Sequence, residues 1–228
     1  MNISENLLNI KNKLPENVTL VAVSKTKPSS DILDAYATGH RIFGENKIQE
    51  MAGKHEELPK DIEWHMIGHI QRNKVKYMAP FVSLIHAVDS LRLLKEINKQ
   101  ALKNNRVINC LLQIKIASEE TKFGLTETEV SELLASEELK SLQSIKIEGL
   151  MGMATFTSDK NQLQKEFGLL KNIFDNVCNL DTANCQLKTL SMGMSDDYSI
   201  ALENGSNMIR VGSSIFGKRA CSIDFKRD

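Results

Sequence analysis

Lys25 closes a mostly apolar run, 18-VTLVAVSK-25, and of the side chains in this sequence it is the best placed for covalent chemistry. Burial at the end of a strand disfavours the ammonium form and frees amine, which can add to a carbonyl as the first step of Schiff-base formation. Taken alone, a strand-end lysine is more often a solvated or salt-bridged group than a nucleophile. Lys27 competes with it. Strand alternation puts both on one face, but Pro28 ends the run just beyond Lys27, so Lys25 is the deeper candidate.

Towards the other end of the chain, 193-GMS-195 and 212-GSS-214 have the composition of anion-binding loops. Gly193 and Gly212 allow close backbone approach, while Ser195, Ser213 and Ser214 supply hydroxyl donors. A helix expected to begin at Ser195 would favour negative charge at its positive end. Ser195 as a simple helix N-cap uses the same donors, so the motif alone leaves both readings standing. Arg210 lies two residues before Gly212, on the same side of its strand, and a buried charge needs a partner. Either its donor fork faces an acceptor on a ligand, such as a pyridine nitrogen, or it forms an internal salt bridge with Glu45 or Asp89. His65, His69 and Asp89 fall near two strand ends, but His65 and His69 straddle a strand-to-loop boundary. They read as packed or hydrogen-bonded groups rather than metal ligands.

These residues need a frame that brings distant segments to one place. Short strand-like runs recur at 18–25, 41–46, 62–68, 82–89, 107–116, 145–154, 188–194 and 208–217. Several are nearly continuous in Val, Ile, Leu and Met, as expected when helices cover one face and a filled barrel core the other. Between them, segments such as 91–105 and 160–177 repeat apolar residues at three- and four-residue steps, the amphipathic helix pattern. Eight such units predict a single α/β domain over residues 1–228, a (β/α)8 TIM barrel with an extra helix near 3–13. A doubly wound open sheet is the alternative, but no GxGxxG follows the first strand. In a barrel, chemistry sits on the loops after the strands, and phosphate sites often use the loops after strands seven and eight. Those are the loops that carry Ser195 and Gly212.

Composition narrows the class. The 228 residues carry 29 basic and 29 acidic side chains, so no net charge draws the chain to nucleic acid. The basic run 70-IQRNKVKY-77 lacks a stacking platform and reads as a solvated helix face. Four cysteines are too few and too scattered for a disulfide framework or a zinc site. The first fifteen residues lack the apolar core of a secretion signal, and no apolar run is long enough to span a bilayer, so the expected setting is cytoplasmic, away from membranes.

Eight segments, taken in order, resemble the pyridoxal phosphate homeostasis proteins, whose fold is that of the alanine racemase barrel domain. They are 22-AVSKTKP-28, 43-FGENKIQE-50, 64-WHMIGHIQRNK-74, 87-AVDS-90, 119-EETKFG-124, 149-GLMGMA-154, 190-LSMGMSDDYSIALENGS-206 and 210-RVGSSIFG-217. The resemblance implies pyridoxal 5′-phosphate (PLP) held covalently on Lys25, with Arg210 beside the pyridine nitrogen. It implies phosphate binding by Ser195, Gly212 and Ser213, backbone from Met194 nearby, and Asn46 beside the ring or its phenolic oxygen. Lys47 stands where the family usually has an aromatic, and Ser213 where Thr is common; Ser213 keeps the hydroxyl. Racemases of this fold add a β-rich domain carrying a tyrosine base across a dimer interface. Only 218–228 follow the last matching segment, and Tyr36, Tyr77 and Tyr198 match no such position. The expectation is therefore a monomer that holds, buffers or delivers PLP, with apo-PLP enzymes as recipients and without robust turnover. A weak amino-acid racemase is the enzymatic alternative, and a barrel for another phosphorylated metabolite is the third.

Overall fold

Runs of β-branched and long aliphatic residues, each followed by an amphipathic segment, give eight parallel strands with helical elements between them. In the computed structural model these are described for residues 2–117, 123–179 and 184–217. The strands are β1 (Thr19–Val23), β2 (Ile42–Glu45), β3 (Glu63–Met66), β4 (Leu84–Val88), β5 (Ile108–Ile114), β6 (Ile145–Gly152), β7 (Cys185–Ser191) and β8 (Met208–Val211). They pair in sequence order, and β8 closes on β1 with Arg210 opposite Val21. The expected closed barrel is the observed one, preceded by α1 (Ile3–Lys11).

The connecting helices are α2 (Ser29–Tyr36), α3 (Ile48–Glu57), α4 (Leu91–Lys103), α5 (Glu127–Ala135), α6 (Glu137–Lys140), α7 (Lys160–Val177), α8 (Tyr198–Glu203) and α9 (Ser213–Phe216). A 3₁₀ turn at Arg72–Tyr77 takes the place of a helix after β3. Local chemistry sets several starts. Ser90 and Asp159 accept backbone N–H bonds at the heads of α4 and α7, and Thr126 with Glu129 forms a reciprocal capping box on α5.

All the strands but β7 are shorter than their apolar runs. β1 stops at Val23, not Lys25, because the Lys27 N–H turns back to the Ser24 carbonyl at 3.1 Å. β8 stops at Val211, and residues 213–216 coil into α9 rather than continuing the strand. β7 begins at Cys185, three residues before its apolar run. The helix expected from Ser195 begins at Tyr198. Strands in a barrel pair only around its waist; beyond it the same apolar residues line loops.

Alternation along each strand sorts side chains into two cores. Phe43, Trp64, Leu150 and Ile209 point outward into a large cluster shared with the helices. Val21, Leu84, Ala87, Leu111, Met151 and Met208 form a separate cluster that fills the barrel interior. The inward positions next along the strands are polar: His65, His86, Ser191 and Arg210, all buried. The barrel is thus plugged below by an apolar layer and above it by a polar one, on which the mouth rests. Cys110 and Cys178 are free thiols. Cys221, the segment 218–228 and residues 118–122 lie outside the described residues. None of the described helices is long and apolar enough to cross a membrane.

Candidate functional site

A cavity of about 420 Å³ opens at the C-terminal ends of the strands. All seven residues singled out from the sequence, Lys25, Asn46, Met194, Ser195, Arg210, Gly212 and Ser213, line it. Lys27, His69, Gln113, Phe123, Phe156 and Asp197 also contribute to its walls. A larger, open groove of about 980 Å³ runs outside the mouth along Phe156, Lys160, Asp196 and Glu203. It contains neither Lys25 nor Arg210, so the chemistry belongs to the smaller cavity.

Lys25 reaches the cavity from the turn after β1. Lys27 does so too, and its ammonium donates to the Phe216 carbonyl at 2.6 Å, tying this turn to the end of α9. Asn46 follows β2 directly. Its side-chain oxygen is buried without a hydrogen-bond partner, a deficit worth about 1–3 kcal/mol that a donor on a ligand would remove.

Arg210 forms no salt bridge with Glu45 or Asp89. Glu45 is taken by Lys54 at 2.8 Å and by the Ser24 hydroxyl at 2.6 Å, and Asp89 lies 3.6 Å from His69. The guanidinium instead donates to the Ser191 carbonyl (2.9 Å), the Ser191 hydroxyl (2.6 Å) and the Gly152 carbonyl (2.9 Å). Three of its five N–H donors therefore go to neutral oxygens. Desolvation pushes the group down to about 10, partly countered by Asp197, so it stays protonated at neutral pH.

Arginine cannot accept, and this fixes the direction of a buried hydrogen-bond chain. Ser191 Oγ accepts from Arg210 and is free to donate to His86 Nδ1, 3.2 Å away. His86 then carries its proton on Nε2 and donates to His65 Nδ1 at 3.0 Å, leaving His65 as the Nε2–H tautomer. Both imidazoles are neutral. Burial pushes His65 down to about 3 and His86 well below its ordinary value, helped in the latter by His65 and Arg210.

A histidine depressed on folding leaves the unfolded chain binding the extra proton. Its stabilisation is complete above the unfolded value near 6.5 and is lost as pH falls towards the folded one. Stability should accordingly drop by about 2 kcal/mol per histidine by pH 5. Urea unfolding at pH 7 and pH 5 measures the loss, and NMR titration should find both rings neutral in the folded protein at pH 5. A flat stability profile, or rings that titrate near 6.5, would contradict this arrangement.

Across the mouth, the loops after β7 and β8 are locked together. Gly193 turns at φ +96°, a left-handed conformation that glycine adopts without penalty. Asp197, not Ser195, stands at the N-cap position of α8, but its carboxylate turns back to accept the Met194 N–H at 2.5 Å and makes no cap bond to the helix. Ser195 Oγ accepts the Gly212 N–H at 3.2 Å, joining the two loops, so it does not cap that helix. A Cβ on Gly212 would sit 3.1 Å from the Val23 carbonyl, so glycine lets β8 pack closely against β1. Ser213 and Ser214, in the first turn of α9, have N–H groups of the kind a helix leaves without an intrahelical acceptor.

His69 stacks on Phe123 with ring centroids 4.4 Å apart, and no cluster of three metal-ligating side chains occurs among the described residues. The sequence reading missed the polar layer. Its only signal was a polar residue at an inward position of each of four strands, which becomes visible once the register is known.

Comparison with known proteins follows the same lines. Residues 1–220 match the family model described as alanine racemase, N-terminal domain. A protein of Aquifex aeolicus named pyridoxal phosphate homeostasis protein is 38% identical over 88% of this chain and 86% of its own length. A protein of the same name from Escherichia coli K12 is 34% identical over 95% of this chain and 97% of its own. PipY of Synechococcus elongatus PCC7942, solved without and with PLP bound, is 34% identical and superposes with TM-scores of 0.88 and 0.85. Both comparisons cover 94% of this chain and the whole of PipY. Alanine racemase from E. faecalis, at 16% identity and a TM-score of 0.70, shares the fold, and the match spans 58% of that chain.

Proposed function

The chain belongs to the pyridoxal phosphate homeostasis protein family, built on the alanine racemase N-terminal domain, and on that premise we propose that its barrel mouth binds PLP through a Schiff base on Lys25. The observation that carries this is the convergence of seven residues from β1, β2, β7 and β8 and their loops on one cavity. The fit is chemical as well as spatial. Ser195, Ser213 and the backbone at Gly212 suit a phosphate, the unpartnered Asn46 oxygen suits a phenolic hydroxyl, and Arg210 suits an unprotonated pyridine nitrogen. Lys25, in its amine form, would supply the nitrogen of the C=N bond to the aldehyde carbon, its two protons leaving with the aldehyde oxygen as water.

PLP supplies an electron sink for chemistry at an amino-acid Cα, but a ring nitrogen facing a cation accepts electrons poorly. No tyrosine lines the cavity among the described residues: Tyr36 donates to Asp61, and Tyr198 packs against the outer core. Both points favour holding PLP over turning substrates over. In this reading residues 1–228 act as one cytoplasmic, monomeric PLP-binding domain in PLP homeostasis, and apo-PLP enzymes are the recipients. Purified protein mixed with PLP should turn yellow, and borohydride reduction should fix one pyridoxyl group per chain. Protein that stays colourless and unlabelled would refute the proposal. The racemase alternative is tested by deuterium wash-in at Cα of amino acids, where exchange at enzyme-like rates would favour it.

A further inference from the structure

Lys25 sits between two residues whose backbone is pinned from outside the cavity. On one side, the Ser24 carbonyl accepts from Lys54 Nζ at 2.8 Å, and the Ser24 hydroxyl donates to Glu45 Oε1 at 2.6 Å. On the other, the Thr26 N–H donates to Glu50 Oε1 at 2.6 Å. Thr26 has φ +64°, in the left-handed region that β-branched residues strongly avoid. Such strain persists only where the surroundings over-determine it, and it gathers at functional sites.

The pinning groups form one unit. Glu50 and Lys54 stand four residues apart on α3, so they share a face, which is turned to the ends of β1 and β2. Lys54 is only 7% exposed and Glu45 fully buried, and the Lys54 ammonium bridges Glu45 and Glu50 at 2.8 Å each. Neither Glu50 nor Lys54 lines the cavity. Four buried or half-buried polar groups are thus spent on holding two peptide units, and the residue between those units is Lys25.

We propose that Glu50 and Lys54 are positioning residues: they hold the strained Ser24–Thr26 turn so that the Lys25 amine is presented to a carbonyl in the cavity. This rests on the proposed role of Lys25. A purely architectural clamp across the β1–β2 seam would stabilise the barrel without affecting how fast that amine reacts.

The test uses full-length Glu50→Ala, Glu50→Gln and the double variant Glu50→Ala/Thr26→Gly. In the protein without PLP, amide exchange at Thr26 should accelerate in Glu50→Ala. With PLP added, imine formation at Lys25 should slow roughly 10–100-fold, the scale on which misplacement of a reacting group acts. Glu50→Gln keeps an acceptor for the Thr26 N–H and should retain most of the rate. Adding Thr26→Gly removes the strain, since glycine accepts positive φ, and should restore much of the rate lost in Glu50→Ala. A folded Glu50→Ala protein that forms the imine at the wild-type rate would overturn the inference. So would a double variant no faster than the single one, or Thr26 exchange unchanged in Glu50→Ala. A wild-type protein that forms no imine would instead sink the reading of Lys25 itself.

Discussion

Lys25→Ala should lose essentially all borohydride-fixed pyridoxyl label, while Lys27→Ala keeps it. The two lysines flank the same turn and line the same cavity, so their proximity to it cannot decide between them. Their surroundings do. The Lys27 ammonium is tied to the Phe216 carbonyl at 2.6 Å, a bond that also holds the end of α9. The backbone on both sides of Lys25 is fixed by Lys54, Glu45 and Glu50. Effort spent on orienting a backbone makes sense where the side chain it carries must meet a partner at a defined angle. Lys25→Ala should still bind PLP reversibly, because Ser195, Gly212, Ser213 and Arg210 remain. Reversible binding appears as a free-aldehyde spectrum that dialysis removes. Label that moves to Lys27 in Lys25→Ala, or that is lost in Lys27→Ala, would reverse the assignment.

The fold was legible because barrel strands, covered on both faces, read as continuous apolar runs, and the amphipathic segments between them count out eight units. Their ends were not. Nothing in 18-VTLVAVSK-25 says that pairing stops at Val23, since Ser24 is as small as Thr19 and a lysine can equally close a strand or follow one. The same holds for 208-MIRVGSSIFG-217, where Ile215 and Phe216 are buried as a helical turn rather than as strand. The cavity-lining residues were readable because loop glycines and serines, a strand-end lysine and a buried arginine each carry a local chemical signature. Their partners were not, because a partner is a fact of register. Arg210 could be seen to need one, but Glu45 and Asp89 were chosen from the sequence by charge alone. The barrel instead sets Ser191 and Gly152 at hydrogen-bonding distance and gives Glu45 to Lys54, nine residues on.

Arg210→Met tests whether that arginine serves the fold or the ligand. If it is a structural linchpin, its removal strands buried acceptors and should cost about 3–5 kcal/mol. The balance of forces argues otherwise. Burial depresses the guanidinium from 12.5 to about 10, so the folded state disfavours its charge by about 3 kcal/mol. Hydrogen bonds to three neutral oxygens and the nearby charge of Asp197 offset part of that cost, with no carboxylate hydrogen-bonded to the guanidinium among the described residues. A side chain of similar length and no charge removes the cost of burying the cation but leaves the Ser191 and Gly152 oxygens without that donor, a loss of about 1–3 kcal/mol for such a group, so the two changes largely cancel. The protein without PLP should therefore unfold at a urea midpoint close to that of the wild type, while PLP occupancy falls and the absorption band shifts as the ring nitrogen loses its cationic neighbour. A second consequence separates this from simple repacking. Arg210 is one of the groups holding His86 neutral, so in Arg210→Met the His86 ring should take up a proton at higher pH than in the wild type. The part of the acid loss of stability that comes from His86 should then be smaller and level off at a higher pH, because the folded ring follows the unfolded one more closely in taking up its proton. A variant that loses several kcal/mol at pH 8 would mean that Arg210 is kept for the barrel, and that any ligand merely uses it.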